Sequence, residues 1–132
     1  MVIIFNRKNS LINQFVFPFI FIGFFFLSSC GKDCSELPSS YSSYDDAISE
    51  VKSAHFALEE SIETDESTWI KGASYFSCDS KTGYFILNTD SKEYIYGGVP
   101  IGVWYNFKNA KSFGGYYNDY IKHHFYFKLN KQ

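Results

Sequence analysis

Arginine is almost missing from this chain: Arg7 is the last one. Past that point there is no planar guanidinium fork for bidentate contact with a phosphate or a guanine. The eight lysines of residues 67–132 could supply only diffuse attraction to a polyanion. No Gly-x-Ser-x-Gly, no His-Glu-x-x-His and no phosphate-cradling glycine loop occurs. Gly97-Gly98-Val99-Pro100-Ile101-Gly102 lacks the spacing of a nucleotide fingerprint. There is also no internal repeat and no low-complexity linker. What is abundant is aromatic surface: 15 Phe and 11 Tyr in 132 residues, which are 45% hydrophobic. Such a chain is too apolar to stay disordered and too short for more than one small domain.

The longest apolar run, Phe15 to Leu27, holds 13 residues, where a membrane span needs about 20. Arg7 and Lys8 precede it, and Leu27-Ser28-Ser29-Cys30 closes it. A basic start, a short apolar stretch and small residues before a cut form a secretory signal. The Leu-Ser-Ser-Cys ending resembles the lipobox of bacterial lipoproteins. That resemblance implies removal of residues 1–29 and lipid on Cys30, placing the protein on a membrane outside the cytoplasm. Gly31 stands where some such proteins carry an inner-membrane retention Asp, which favours the outer membrane. Several acyl chains, at about 0.8 kcal/mol per buried CH₂, would hold it there stably.

After the cut, residues 30–40 read as a lipidated polar tether. Residues 41–66 read as an acidic amphipathic helix. Ser43 with Asp46 fits a capping box, and Ile48, Val51, His55, Leu58 and Ile62 recur at spacings of three and four. From residue 67 the texture turns to strands, expected near 69–76, 84–88 and 93–97. Asp79 to Gly83 forms one turn, with Gly83 available for a positive φ, and Thr89 to Lys92 forms another. Pro100 suits the first position of a helix, and Ser112 opens a second helical pattern through Phe113, Tyr117 and Ile121. His123 to Leu129 could add a short strand. The expected fold class is therefore α+β: a three-stranded antiparallel meander followed by two helices, with an amphipathic helix before it. Residues 30–66 carry ten acidic against two basic side chains, and residues 67–132 four against eight, leaving −4 after the cut.

Several short pieces in residues 67–128 occur in an order that resembles the KTSC domain. They are Ser67-Thr68, Tyr94-Ile95-Tyr96, Val99-Pro100, Ala110-Lys111-Ser112-Phe113-Gly114, Tyr117-Asn118 and Ile121-Lys122. That family is named for the C-terminus of certain lysyl-tRNA synthetases. The resemblance implies no established activity, and a nucleic-acid role only by suggestion. The chain departs from the pattern at Phe76 to Lys81, where an extra turn with Cys78 is inserted.

Tyr94 and Tyr96 share a strand face. They can stack on a flat ligand or serve as cross-strand packing partners. Tyr117, Asn118 and Lys122 group on one helical face, where they could hold a polar ligand; a buried backbone group would explain Asn118 equally well. His123 and His124, adjacent on an expected strand, point apart and make no metal site. His55 reads as a packed or edge histidine. Cys34 and Cys78 are the two thiols left once Cys30 is lipidated. They either bridge, closing a loop of 45 residues, or stay free. The expected function is a non-catalytic binding or interaction module on the envelope, with an unidentified protein or small-molecule partner, no cofactor and no nucleic acid. A small envelope hydrolase or cell-wall enzyme and a nucleic-acid-binding module are the alternatives.

Overall fold

Leu58, Glu60 and Ile62 alternate with Glu59, Ser61 and Glu63 between half-buried and exposed positions. That period of two belongs to a strand, not to the helix their four-residue spacing suggests. A computed structural model describes residues 31–130. The expected signal segment and Cys30 lie outside the described residues.

Helix α1 (Tyr44–Ser53) begins at Ser43, whose hydroxyl accepts from the Asp46 N–H. It ends after ten residues, and the chain then enters the sheet. Strands β1 (Leu58–Glu63), β2 (Ile70–Ser77), β3 (Thr82–Thr89) and β4 (Glu93–Pro100) pair antiparallel in sequence order. The expected three-stranded meander is thus corrected to a four-stranded sheet. The strand it lacked lies within residues 41–66, which had been expected to be wholly helical. Helix α2 (Ile101–Lys108) follows directly, with Pro100 as its N-cap. Helix α3 (Phe113–Tyr116), capped by the Ser112 hydroxyl, widens into a π-turn over Tyr117–Ile121. There the Lys122 N–H donates to the Tyr117 carbonyl, five residues back.

The sheet is covered on both faces. Tyr75, Phe85 and Leu87 point to one side, where Trp104, Phe107, Tyr117 and Ile121 of α2, α3 and the π-turn close over them. Tyr75 stacks on Trp104 with ring centroids 5.6 Å apart, and its hydroxyl donates to the Val99 carbonyl. Ile86 and Ile95 point to the other side, beneath Ala47, Ile48 and Val51 of α1 and Tyr41. Both faces of β3 are apolar because both are buried, so Tyr84 to Leu87 reads as a continuous run rather than an alternation.

The β2–β3 turn differs from the expectation for Gly83. The positive φ in this turn falls at Ser80 (56°) instead. Gly83 is needed for close approach: a Cβ there would stand 2.2 Å from the Phe76 carbonyl oxygen. The Asp79 carboxylate holds the turn, accepting from the N–H groups of Lys81 and Thr82, and these bonds keep its pKa below the usual value.

Residues 31–40 are not a loose tether. Cys34–Glu36 form a 3₁₀ turn, and Asp33 bridges to His55. The Cys34 N–H donates to the His55 carbonyl and the His55 N–H to the Lys32 carbonyl. The structure joins Cys34 to Cys78 by a disulfide, with the Cα atoms 6.0 Å apart. The tail from His123 is likewise not a strand. It is irregular, apart from a single bridge between Leu129 and Tyr41.

Candidate functional site

A cleft of about 510 Å³ opens where the first turn of α1, the first half of β4 and the tail meet. β4 contributes Glu93 to Tyr96 and the turn before it Lys92, α1 contributes Tyr44 and Asp45, and the tail contributes Phe125 to Phe127. The tail reaches this place because His123, at φ 71°, reverses the chain after the π-turn. Phe125 then packs on the core beneath α2, and Phe127 on the core beneath α1. The two cores lie on opposite faces of the sheet, so the tail wraps from one face to the other beside β4. The Phe127 ring sits 5.3 Å from Tyr41 and 6.5 Å from Tyr44. Between these anchors Tyr126 points outward, 74% exposed, while Tyr44 across the cleft is 53% exposed.

Tyr94 and Tyr96 both line this cleft, and both also pack partly against the core beneath α2. The Lys92 ammonium lies 4.6 Å from the Tyr94 ring centroid, a cation–π contact. The Tyr96 hydroxyl shares a hydrogen bond with that of Tyr117 at 2.5 Å. Burial raises the pKa of both tyrosines. Glu93 is engaged by Lys52, whose Nζ lies 2.5 Å from its Oε1. The arrangement offers aromatic faces, the carboxylates of Asp45 and Glu93 and the Lys92 ammonium. It does not offer a nucleophile beside a base.

The other expected ligand residues stand apart. Tyr117 reaches the cleft only through its bond to Tyr96. Asn118 and Lys122 are exposed and line no part of it. The physical reason is the π-turn, which widens the helix, after which Lys122 leaves it in an extended conformation. Two residues four apart therefore no longer stack as they would on an α-helix. His55 is exposed and held by backbone bonds. Sequence reasoning missed Tyr44, Phe125, Tyr126 and Phe127. For the tail residues the signal was the aromatic run Phe125-Tyr126-Phe127, but without a paired neighbour that run has no face assigned to it.

Of two smaller recesses, one adjoins the cleft through Tyr126 and Phe127. That one, of about 200 Å³, is also lined by Tyr41, Tyr84 and Lys128, and the other, of about 240 Å³, by Trp69, Lys111 and Phe113.

No curated protein and no solved structure matches the chain. The family model for the KTSC domain matches residues 78–126. That segment runs from the turn holding Cys78, through β3, β4, α2, α3 and the π-turn, to Tyr126 on the rim of the cleft. It is narrower than the stretch from residue 67 that the sequence motifs suggested, and it leaves out α1, β1 and β2. The part of the chain that carries β4 and its aromatic cleft residues is therefore similar to a KTSC domain.

Proposed function

We propose that this protein is a lipid-anchored component of the cell envelope whose folded part is a non-catalytic binding module. The cleft is the observation that carries the binding reading. Exposed Tyr44 and Tyr126 both line it, with Asp45 beside them and Lys92 over the Tyr94 ring. Aromatic rings left open to water beside a few polar groups suit a ligand with a flat apolar face and hydroxyl or charged edges. Catalysis has less support. Glu93 is occupied by Lys52, and the burial-raised Tyr96 hydroxyl is a poor base. The basic start, 13-residue apolar run and Leu-Ser-Ser-Cys ending support the anchor on Cys30. Gly31 supports the outer membrane. The absence of arginine after Arg7 and the −4 charge argue against the nucleic-acid role suggested by the synthetase-type domain.

Mass spectrometry of native protein should find acylated Cys30 and no residues 1–29. An unmodified thiol or a retained Met1 would refute the anchor. The Cys30→Ser protein, titrated with glycan fragments and short peptides, should show NMR shifts clustered at Tyr44, Tyr94 and Tyr126. Tyr94→Ala and Tyr126→Ala should weaken binding about tenfold each. Shifts confined to surfaces away from the cleft would refute this seat.

A further inference from the structure

β4 pairs only with β3 among the described residues, and the cleft lies along its free edge. Glu93, Tyr94, Ile95 and Tyr96 all line the cleft, although successive side chains leave a strand on opposite faces. Tyr94 and Tyr96 pack toward the core beneath α2, while Ile95 packs beneath α1. Only the edge of the strand is common to both faces. The Thr89 N–H donates to the Lys92 carbonyl, so that pair turns its backbone groups inward, between β3 and β4. Every second pair after it does the same, beginning with Leu87 and Tyr94. Glu93 and Ile95 alternate with these, and their N–H and carbonyl groups point outward. Among the described residues, no backbone hydrogen bond from α1 or the tail reaches those groups. Ile95 is nevertheless only 4% exposed, and backbone groups buried this far are nearly always paired.

We infer that the cleft takes an extended peptide, which adds to β4 as a fifth strand and bonds the outward backbone groups of Glu93 and Ile95. This rests on the cleft being the binding site, and it names the partner. The seat is short. At Gly97 the tail crosses β4, where an added Cβ would stand 3.7 Å from the Tyr126 carbonyl oxygen and 3.5 Å from the Phe127 ring. α1 flanks the open edge on one face and Phe125 on the other. A single extended chain fits such a slot. The β4 edge of a second copy, recessed between its own α1 and tail, does not reach into it. Charge supplies a direction. Lys52, near the end of α1, pairs with Glu93, while Tyr44, at its start, lies by the Phe127 ring that covers Gly97. α1 therefore runs antiparallel to β4, which puts Asp45 toward the Tyr96 end of the slot. Lys92 stands at the other end, about 13 Å away along the strand. Neither has an ion-pair partner among the described residues. A peptide pairing antiparallel, as the other strands do, matches them with a basic residue followed about four positions later by an acidic one.

The test titrates isotope-labelled full-length protein with the capped peptide Lys-Val-Thr-Val-Glu and reads backbone amide shifts by NMR. The largest shifts should fall at Glu93 and Ile95. In antiparallel register the second and fourth peptide residues lie opposite Ile95 and Glu93, so their N–H groups face the strand. N-methylation of either should weaken binding about tenfold or more, whereas N-methylation of the third residue, whose N–H faces away, should change it by less than about twofold. The charge-reversed peptide Glu-Val-Thr-Val-Lys should bind several-fold more weakly, and the gap should close in molar salt. Peptide binding in the cleft that is indifferent to the site of methylation overturns strand addition and leaves the cleft a binding site. So does a glycan fragment that shifts Tyr44, Tyr94 and Tyr126 where no peptide does. If neither peptides nor glycans shift these residues, the binding reading of the cleft falls and strand addition with it.

Discussion

Glu60 sits on the face of β1 that meets α2. The indole N–H of Trp104 donates to its Oε2 at 2.6 Å, and the Lys108 ammonium bonds the same oxygen. Trp104 is fully buried, so its N–H has no route to water if this acceptor is removed. Glu60→Ala therefore does more than delete a partly exposed ion pair. It strands a buried donor, at a cost of about 2 kcal/mol, which for a domain of this size lowers Tm by about 8–16 °C. Glu60→Gln keeps an acceptor oxygen but loses the charge, and should cost about 1 kcal/mol. The hydrogen bonds from Lys108 and then Trp104 hold the Glu60 carboxyl below its ordinary value of 4.5. A carboxyl depressed in the folded state adds stability that is complete above its ordinary pKa and lost as pH falls through the lowered one. Urea unfolding followed by tryptophan fluorescence should show the gap between wild type and Gln variant narrowing below about pH 4.5. A double-mutant cycle isolates the buried bond, since Glu60→Ala on a Trp104→Phe background should cost about 1–2 kcal/mol less than on the wild type. If Glu60→Ala shifts stability by under about 0.5 kcal/mol, or the cycle shows no coupling, the bond does not hold α2 to the sheet.

Opening the Cys34–Cys78 bridge, by reduction or by Cys34→Ser with Cys78→Ser, should cost up to about 4 kcal/mol in the chain-entropy model; unchanged urea midpoints with and without reductant would contradict this. Gly83→Ala drives a methyl into the Phe76 carbonyl and should cost about 1–3 kcal/mol, read by thermal unfolding, with a silent substitution counting against the close approach. Burial raises the pKa values of Tyr41, Tyr75 and Tyr96, that of Tyr75 to about 12. Groups raised in this way lend stability that is full below the ordinary pKa of 10 and lost as pH rises through the folded value. Ultraviolet titration should accordingly show these tyrosines ionising late and together with unfolding, whereas uniform ionisation near 10 would refute their burial.

Much of the fold was legible because local chemistry and tertiary packing agree there. Ser43 and Ser112 stand at helix starts and cap them. Tyr84 to Leu87 is a strand under any reading, and the Asp79 and Thr89 turns bound it. β1 was not legible for a specific reason. Leu58 and Ile62 are four apart, which fits a helical face and a strand face equally, and the intervening position holds Glu60 where an apolar residue would have revealed the alternation. Only the fold supplies its partners, Trp104 and Lys108, more than forty residues away. The cleft was half legible. Tyr94 and Tyr96 follow from strand periodicity, but Tyr44 and Tyr126 become neighbours only when α1 and the tail converge beside β4. Asn118 and Lys122 were misplaced because sequence spacing assumes a helix of constant pitch, and the π-turn breaks that assumption.

β1 closes one side of the sheet, with no further strand beside it among the described residues. Its outer row of backbone groups is a template on which a second copy could lay down a matching strand. Three of its six residues are glutamates, and Glu59 and Glu63 are exposed. Two such edges brought together would set the four exposed carboxylates of Glu59 and Glu63 against one another, where like charges facing across a strand pair are unfavourable. This row of acid is a spacer that keeps neighbouring copies from stitching into a continuous sheet.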